Sequence, residues 1–118
     1  MKNENEVILN GVTYVKKNEQ AMEDGKPYVI VRGQSSGVFA GILLEEQDRA
    51  VVLKNARRLW YWKGAASLSQ LAEEGVKSPN ECKFPCEISK IKILDAIEII
   101  NTTVAAKKSI QEVFIWKV

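Results

Sequence analysis

The chain has 118 residues, the size of one ordinary domain, and 46% of them are hydrophobic, which is within the globular range. No apolar run approaches the ~20 residues needed to span a bilayer, and the polar, mixed-charge start argues against a signal peptide. The 17 basic and 15 acidic residues give a net charge of +2, which argues against a duplex-DNA binder. We therefore expect a single soluble domain over residues 1–118, located in the cytoplasm and not at a membrane.

The first half of the chain has the pattern of strands and tight turns. Two β-rich stretches between Glu6 and Lys16 flank Asn10-Gly11, and this dipeptide is a strong signal for a hairpin turn. The polar segment 19–27 is expected to be a loop. Further strands are expected over residues 28–33, 38–46 and 50–62, the last being either one long strand or two strands that meet near Asn55. Short turns between these strands predict an antiparallel meander.

The second half is predicted to begin with a short helix. Ser67 and Gln70 fit a capping box, in which each side chain bonds the other residue's backbone N–H group. Gly75 fits the position that ends a helix, and Pro79 prevents its continuation, so this helix has about two turns. The Ile-rich segment 86–100 then predicts one or two strands with a break near Asp95.

The end of the chain is predicted to contain a second helix and a final strand. Thr102 or Thr103 can cap a helix that runs through Lys108, with Lys107 and Lys108 near its C-terminal end, where the helix dipole favours cations. Residues 113–118 are expected to form a strand that rejoins the sheet. The predicted class is α+β: an antiparallel β-sheet, a meander of about five to six strands, with two short helices and a small C-terminal β element.

The segment from Arg57 to Trp62, with the sequence RRLWYW, is the most unusual in the chain. If it is extended, its side chains alternate between two faces, and one face carries Arg58, Trp60 and Trp62. Two indoles can stack on a nucleotide base, and a guanidinium can bind a phosphate with paired hydrogen bonds. The alternative is that the aromatic rings fill the core beneath the first helix and that both arginines are solvated or ion-paired.

Two further segments offer groups that contact phosphate. Small residues lead into Ser67 and Ser69 at the start of the first helix, where free N–H groups and the helix dipole favour an anion. Ser35, Ser36 and Gly37 offer hydroxyl groups and a flexible backbone at a predicted hairpin tip. Each segment has a plain structural alternative, which is an ordinary capped helix in the first case and a simple turn in the second.

Catalytic and metal-binding patterns are missing from the sequence. Histidine is absent, and with it the commonest general base and the commonest zinc ligand. Cys82 and Cys86 fall short of the four ligands of a structural zinc site, and we expect both thiols to be free. No spacing pairs a Ser or Cys nucleophile with a Lys, Asp or Glu base. The sequence therefore favours a binding protein over an enzyme, with neither a metal nor a cofactor.

Three linked strings and the end of the chain resemble a known family. The three strings are Gly37 to Gly41 (GVFAG), Leu53 to Trp62 (LKNARRLWYW) and Gly64 to Ala72 (GAASLSQLA), and the end of the chain contributes Ala106 to Ile110 (AKKSI) followed by Trp116. Together they resemble the first-described family of Thoeris anti-defence proteins of phages, from about Pro27 to Val118. The predicted N-terminal hairpin lies outside this resemblance.

The resemblance implies a viral sponge, which is a protein that binds a signal without cleaving it. In Thoeris defence, a bacterial TIR-domain enzyme converts NAD into a cyclic ADP-ribose isomer that activates a killer effector. Proteins of the resembled family sequester that signal, form homo-oligomers such as dimers and hexamers, and in some members also bind cyclic oligonucleotides at a separate site. The implied partner is thus a small cyclic nucleotide, and the implied location is the cytoplasm of an infected bacterial host cell.

The resemblance also extends the set of candidate ligand contacts. Phosphate contact would fall to Arg57 or Arg58, and base stacking to Trp60, Trp62 or Phe84. Hydroxyl or backbone contacts would come from Ser35, Ser36, Ser67 and Ser69, with Ser109 as a contact from a neighbouring chain.

Three other functions fit the same residues. A histidine-free phosphodiesterase would cleave the nucleotide that a sponge returns intact. A protein-interaction module would have an exposed apolar sheet edge and no affinity for nucleotides. A single-stranded nucleic-acid binder would also use arginine and tryptophan, although the balanced net charge argues against it.

Overall fold

The computed structural model describes residues 19–117, together with the backbone of two strands near the start of the chain. In chain order the elements are β1 (Glu6–Leu9), β2 (Val12–Val15), β3 (Met22–Glu23), β4 (Lys26–Gly33), β5 (Val38–Gln47), β6 (Ala50–Arg58), α1 (Leu68–Glu74), a 3₁₀ turn (Pro79–Glu81), β7 (Ile88–Ile93), β8 (Ala96–Asn101) and α2 (Val104–Glu112). Within the described residues, β3 to β8 form one antiparallel sheet of six strands. The predicted α+β class is therefore confirmed.

The strands β1 and β2 form a separate two-stranded sheet. They pair antiparallel, with Leu9 opposite Val12, as expected for the predicted hairpin. The predicted turn residues Asn10-Gly11 lie outside the described residues, as does Lys16.

A tight hairpin joins β3 to β4. Asp24 and Gly25 form its turn, with φ angles of 54° and 75°, and Met22 lies opposite Pro27. Two consecutive residues with positive φ are typical of the type I′ turn that Asp-Gly favours. The predicted loop over residues 19–27 is therefore wrong in its second half, where the turn signal of Asp-Gly outweighs the polar composition.

The strand β4 lies in the middle of a rolled sheet. It pairs with β5 along one edge and with β8 along the other, while β6 and β7 continue the sheet beyond β5. The N–H of Gln34 donates to the Asp95 carbonyl at 2.9 Å, and the N–H of Ala96 donates to the Arg49 carbonyl at 3.0 Å. Gln34 precedes β5 and Arg49 follows it, so these two hydrogen bonds hold the short turn between β7 and β8 against both ends of β5. The sheet is therefore rolled up, and this turn closes it. The predicted meander and the break near Asp95 are both confirmed.

Apolar side chains are buried on both faces of this sheet. The four residues from Tyr28 to Val31 are all buried, as expected for a central strand. Alternate residues enter two clusters, because successive side chains of a strand point to opposite faces. The cluster inside the roll contains Val29, Val31, Phe39, Val51, Leu53, Ala56, Ile93 and Ala96. The cluster beneath the helices contains, among others, Tyr28, Ile30, Ile42, Leu59, Leu71, Phe84 and Ile110.

A β-bulge bends β6 shortly before its end. Ala40 lies opposite Arg57 but Ile42 lies opposite Lys54, so β6 carries one more residue here than β5. Asn55 takes up the extra length with a φ of 50°, and a Cβ atom at Gly41 would lie 3.0 Å from Ala56 Cα. The strand then ends at Arg58, so the predicted strand through Trp62 is too long. The alternative of two strands that meet near Asn55 is wrong, because β6 runs through Asn55 as a single strand with a bulge.

The first helix has the predicted N-cap and end, but the Gln70 side chain bonds the N–H of the residue before Ser67. The Ser67 hydroxyl accepts a hydrogen bond of 3.2 Å from the N–H of Gln70, and the Gln70 side chain accepts one of 2.8 Å from Ala66. Gly75 ends the helix with a φ of 77°. No helix in the described part of the chain has the length and apolar character needed to cross a membrane.

The second helix is longer than predicted and ends directly before the predicted final strand. Thr103 caps it by accepting a 3.0 Å hydrogen bond from Ala106, and the helix continues past Lys108 to Glu112. It continues because Ala106, Ile110 and Val113 are buried at helical spacing. A strand over residues 113–117 is wrong: the segment makes a single bridge between Ile115 and Phe84. Val118 lies outside the described residues.

Helix extension also changes the role assigned to the lysines. Lys107 and Lys108 lie in the middle of α2, so they are not placed at its C-terminal end. The Lys107 ammonium instead lies 2.8 Å from a Glu23 carboxylate oxygen and 3.2 Å from the Met22 carbonyl. This ion pair connects α2 to the β3 strand.

Candidate functional site

Several candidate residues come together on one surface. Ser35 and Ser36 lie in the turn between β4 and β5, and Arg58, Trp60 and Trp62 lie at the end of β6 and just after it. They line a hollow of about 240 Å³, the Trp60 hollow, together with Gly37, Val38 and Leu59. The hydrogen bond of 2.8 Å from the Leu59 N–H to the Val38 carbonyl holds the segment after β6 against the start of β5.

Arg58 is half-buried and its guanidinium is held in one orientation. Its Nη1 atom donates a hydrogen bond of 2.7 Å to the Ser36 carbonyl. The guanidinium carbon lies 4.3 Å from the centre of the Phe39 ring, and Phe39 is the residue opposite Arg58 in the β5–β6 pairing. Among the described residues this is the one hydrogen bond of the guanidinium, which leaves most of its N–H donors for a ligand.

The two indoles of the Trp60 hollow differ in exposure. Trp60 is 64% exposed, whereas Trp62 is half-buried and packs against the cluster beneath the helices. The predicted alternation along an extended strand does not explain the positions of Trp60 and Trp62, because β6 ends at Arg58. The three side chains nevertheless line the same hollow. Of the two indoles, Trp60 has the ring surface that a flat ligand can cover.

A second hollow adjoins the first and shares three of its residues. This Lys92 hollow of about 420 Å³ is lined by Ser35, Ser36, Phe39, Arg58, Ile91, Lys92, Ile93, Leu94 and Asp95. Arg58 thus lies at the boundary of the two hollows, which together form the Arg58 cleft. Lys92 and Leu94 are exposed on its rim. No local pattern in the sequence marks these residues, because the end of β7 comes close to the serines only where the β7–β8 turn bonds Gln34.

Asp95 bonds the turn between β4 and β5 that contains Ser35 and Ser36, here called the serine turn, from the side of the Lys92 hollow. Its Oδ2 atom accepts hydrogen bonds from the N–H of Ser35 at 2.7 Å and of Ser36 at 3.0 Å, and its Oδ1 atom accepts the Ser36 hydroxyl. These bonds, from the Ser36 hydroxyl and then from the Ser35 backbone, lower the pKa of the Asp95 carboxyl. The groups of Ser36 predicted to contact a ligand are therefore already used by Asp95, whereas the Ser35 hydroxyl is outside these bonds.

Arg57 and Phe84 do not belong to the cleft, which corrects two of the candidate contacts. Arg57 is 4% exposed, and its guanidinium donates hydrogen bonds of 2.9 Å to the carbonyls of Pro85, Ile110, Phe84 and Phe114. Burial lowers the pKa of this guanidinium. Phe84 is completely buried, so its ring cannot stack on a base. Of the two adjacent arginines, only Arg58 is placed to bind a phosphate.

The serines of α1 lie away from the cleft. The Ser67 hydroxyl is used as the cap of α1, and Ser69 is exposed two residues further on. The helix has only 7 residues, so its dipole is short. The structural alternative of an ordinary capped helix therefore accounts for Ser67 and Ser69.

Ser109 has a structural role within the described chain. Its hydroxyl accepts a hydrogen bond of 2.9 Å from the Val76 N–H and donates one of 3.3 Å to the Val76 carbonyl. Through these bonds α2 holds the segment that follows α1. Ser109 also lines a separate hollow of about 500 Å³ between α2 and the 3₁₀ turn, with Lys108 and Glu112 on its wall.

The two cysteines have different surroundings. Cys82 is buried, Cys86 is exposed, and both are free thiols. Within residues 19–117, no three His, Cys, Asp or Glu side chains lie close enough together to hold a metal ion.

The fold and the cleft define a small α+β domain whose rolled antiparallel sheet carries an arginine beside an exposed indole. The chain belongs to the family described as a domain of unknown function (DUF6948), which matches residues 26–110. This match covers β4 to β8, α1 and most of α2, and so includes every residue of the Arg58 cleft. Neither a curated protein nor a solved structure matches the chain.

Proposed function

We propose that this protein is a non-catalytic binding protein that sequesters a small phosphorylated nucleotide in the Arg58 cleft. The observation that carries the proposal is the position of Arg58, which lies between two hollows and beside the exposed indole of Trp60. A guanidinium binds phosphate oxygens through several N–H donors, and an indole stacks on any base. The pair therefore suits a ligand that has both groups.

The size of the cleft favours a ligand that spans both hollows. Ligand pockets have volumes of about 300–1,000 Å³. The Trp60 hollow, at about 240 Å³, is below this range, whereas the Lys92 hollow, at about 420 Å³, falls within it. A base over Trp60 and phosphates at Arg58, with Lys92 on the far rim, would use both.

The resemblance to the Thoeris anti-defence family supplies the particular ligand of this proposal. We infer that the ligand is a cyclic ADP-ribose isomer, which contains an adenine, two riboses and a pyrophosphate. The protein would act in the cytoplasm of an infected bacterial cell as a phage anti-defence sponge and as a homo-oligomer. The lack of histidine supports binding without cleavage, because a sponge needs no general base.

The direct test is to mix the purified protein with cyclic ADP-ribose isomers and with cyclic di- and trinucleotides. A ligand present at 100 times its dissociation constant should add about 2.7 kcal/mol to the free energy of unfolding, which a thermal-shift assay detects. The bound ligand is then released by heating and identified by mass spectrometry. Intact ligand supports a sponge, a cleaved product indicates a phosphodiesterase, and no shift with any nucleotide rejects the proposal.

Substitutions in the cleft need controls that remove similar groups elsewhere. Arg58→Ala and Trp60→Ala should each weaken binding by about tenfold or more, because each removes a group that touches the ligand. Arg32→Ala removes an exposed arginine that pairs with Glu98, and Phe114→Ala removes a ring that is 53% exposed outside the cleft. Both controls should leave affinity unchanged.

A single-stranded nucleic-acid binder is the second candidate, and one surface favours it. The Lys83 ammonium lies 5.8 Å from the Tyr61 ring centre and 5.7 Å from the Trp116 ring centre. Tyr61 is 47% exposed and adjoins Trp60 in sequence, so aromatic rings and a cation continue beyond the cleft. Oligonucleotide binding that weakens steeply with salt would support this candidate.

A further inference from the structure

Asp95 and Arg58 lie on opposite sides of the serine turn, and both of them bond Ser36. Three donors of the turn bind the Asp95 carboxylate, namely the N–H groups of Ser35 and Ser36 and the Ser36 hydroxyl. The carbonyl of Ser36 accepts the Nη1–H of Arg58 at 2.7 Å. Ser36 therefore connects the carboxylate to the guanidinium through one residue.

We propose that Asp95 is a positioning residue, which fixes the Arg58 guanidinium for ligand binding by holding the serine turn. This inference rests on the proposed function, in which Arg58 binds a phosphate of the ligand. Asp95 acts through Ser36 and is not itself assigned a ligand contact.

The packing of the turn shows how closely it is fitted to the carboxylate. A Cβ atom at Gly33 would overlap the Ser36 hydroxyl and would lie 2.7 Å from Asp95 Oδ1, so only glycine leaves room for this bond. Gly37 closes the turn with a φ of 110°, and its carbonyl accepts the Gly33 N–H at 2.8 Å. The turn is thus held by the three bonds to the Asp95 carboxylate, by this backbone bond and by the bond from the Gln34 N–H to the Asp95 carbonyl.

The charge of Asp95 also has a direct effect on ligand binding, and this effect is opposite in sign to positioning. The carboxylate lines the Lys92 hollow, where its negative charge would repel a ligand phosphate. Its oxygens, however, are bonded to three donors of the turn, which compensate that charge locally. We therefore expect the loss of positioning to outweigh the loss of repulsion when Asp95 is removed.

The test measures affinity for the cyclic ADP-ribose isomer that gives the largest thermal shift with the wild-type protein. Asp95→Ala should weaken binding by about tenfold, since the turn loses three hydrogen bonds. Asp95→Asn should weaken it by less than about threefold, because one amide oxygen can accept both backbone N–H bonds. Glu98→Ala, which removes an exposed carboxylate on β8, is the matched control and should change affinity by less than about twofold.

A double-mutant cycle separates positioning from a general structural effect. If Asp95 acts through Arg58, adding Asp95→Ala to Arg58→Ala should change affinity by less than about twofold. Additive losses in the double variant, or a tighter complex for Asp95→Ala, would overturn the inference. Each affinity is measured well below the unfolding temperature of the variant, so that lost stability alone does not alter it.

A readout without ligand keeps this inference distinct from the proposed function. In a crystal structure of Asp95→Ala, the guanidinium of Arg58 should have left the Phe39 ring and the Ser36 carbonyl. An unchanged guanidinium would reject the positioning role. If the wild-type protein binds no nucleotide, the proposed function fails, while this comparison still decides whether Asp95 holds Arg58.

Discussion

The Nη2 atom of Arg57 donates a hydrogen bond of 2.9 Å to the carbonyl oxygen of Phe84, whose ring lies beneath the same guanidinium at 5.5 Å. Its other hydrogen bonds reach the segment after Phe84 and the chain at the end of α2. Arg57 thus joins β6 both to residues 84–85 and to the end of α2 with the residues after it, which are far apart in sequence. Its neighbour Arg58 lies in the cleft, so two adjacent arginines have different roles.

Arg57→Ala should lower the free energy of unfolding by about 3 kcal/mol or more, because each buried carbonyl left without a donor costs roughly 1–3 kcal/mol. Arg57→Lys should recover only part of this loss, since an ammonium lacks the planar fork of a guanidinium. Arg58→Ala, as the matched control, should lose less than about 1 kcal/mol. Urea denaturation followed by circular dichroism measures all three variants. Equal losses for Arg57→Ala and Arg58→Ala would contradict the structural role of Arg57.

Two glycines with nearly equal φ angles should differ in their tolerance of alanine. Gly25 and Gly75 have φ angles of 75° and 77°. A Cβ atom at Gly25 would meet nothing within 4 Å, whereas one at Gly75 would overlap the Ser109 side chain. Gly25→Ala should therefore cost only the backbone strain of about 1–2 kcal/mol, and Gly75→Ala clearly more. Thermal unfolding of the two variants makes the comparison, and similar melting temperatures would argue against the contact between α1 and α2.

The Asp95 carboxyl should titrate below its ordinary pKa. Because the folded-state pKa is lowered, first by the Ser36 hydroxyl and then by the Ser35 N–H, folding is favoured while Asp95 is ionised. This contribution is complete above the pKa of the unfolded chain, about 3.9, and is lost as the pH falls through the lower folded value. An NMR titration of the carboxyl carbon measures the pKa. In Ser36→Ala it should rise towards the ordinary value, and an unchanged pKa would disprove the assigned cause.

The two thiols should react at very different rates. Cys86 is exposed, whereas Cys82 is 2% exposed and its Sγ atom lies 3.5 Å from the Ser78 carbonyl. A coloured thiol reagent should therefore modify Cys86 in the native protein and Cys82 only in denaturant. Cys86→Ser should abolish the fast reaction and Cys82→Ser should retain it. Fast reaction of both thiols would show that the segment around Cys82 opens readily.

The local parts of the fold could be predicted from the sequence. Ser67, Gln70 and Gly75 marked α1 because caps depend on residues only a few positions apart. The extent of α2 was missed because the apolar residues after Lys108 fit both a strand and a helix, and burial against α1 decides between them. The polar composition of residues 19–27 likewise led to the prediction of a loop where Asp24 and Gly25 form the turn of a hairpin.

The candidate site could be predicted only in part, for a related reason. Arg58, Trp60 and Trp62 lie within one short segment, so their common surface follows from local sequence. Alternation alone could not distinguish Arg57 from Arg58, because the carbonyls that bind Arg57 come from residues 84–85, 110 and 114. Lys92 and Asp95 enter the cleft only when the sheet rolls, and no local pattern encodes that closure.

The central position of β4 also constrains the order in which the chain can fold during synthesis. One neighbour of β4 is the next strand in the sequence, but the other is β8, and the Thr102 hydroxyl bonds the Tyr28 carbonyl across 74 residues. While the ribosome has yet to release β8, one edge of β4 exposes unpaired peptide groups beside apolar side chains. Such an edge readily pairs with other nascent chains, so a pause in translation before β8 should favour aggregation, and rapid completion of the chain should favour the native fold.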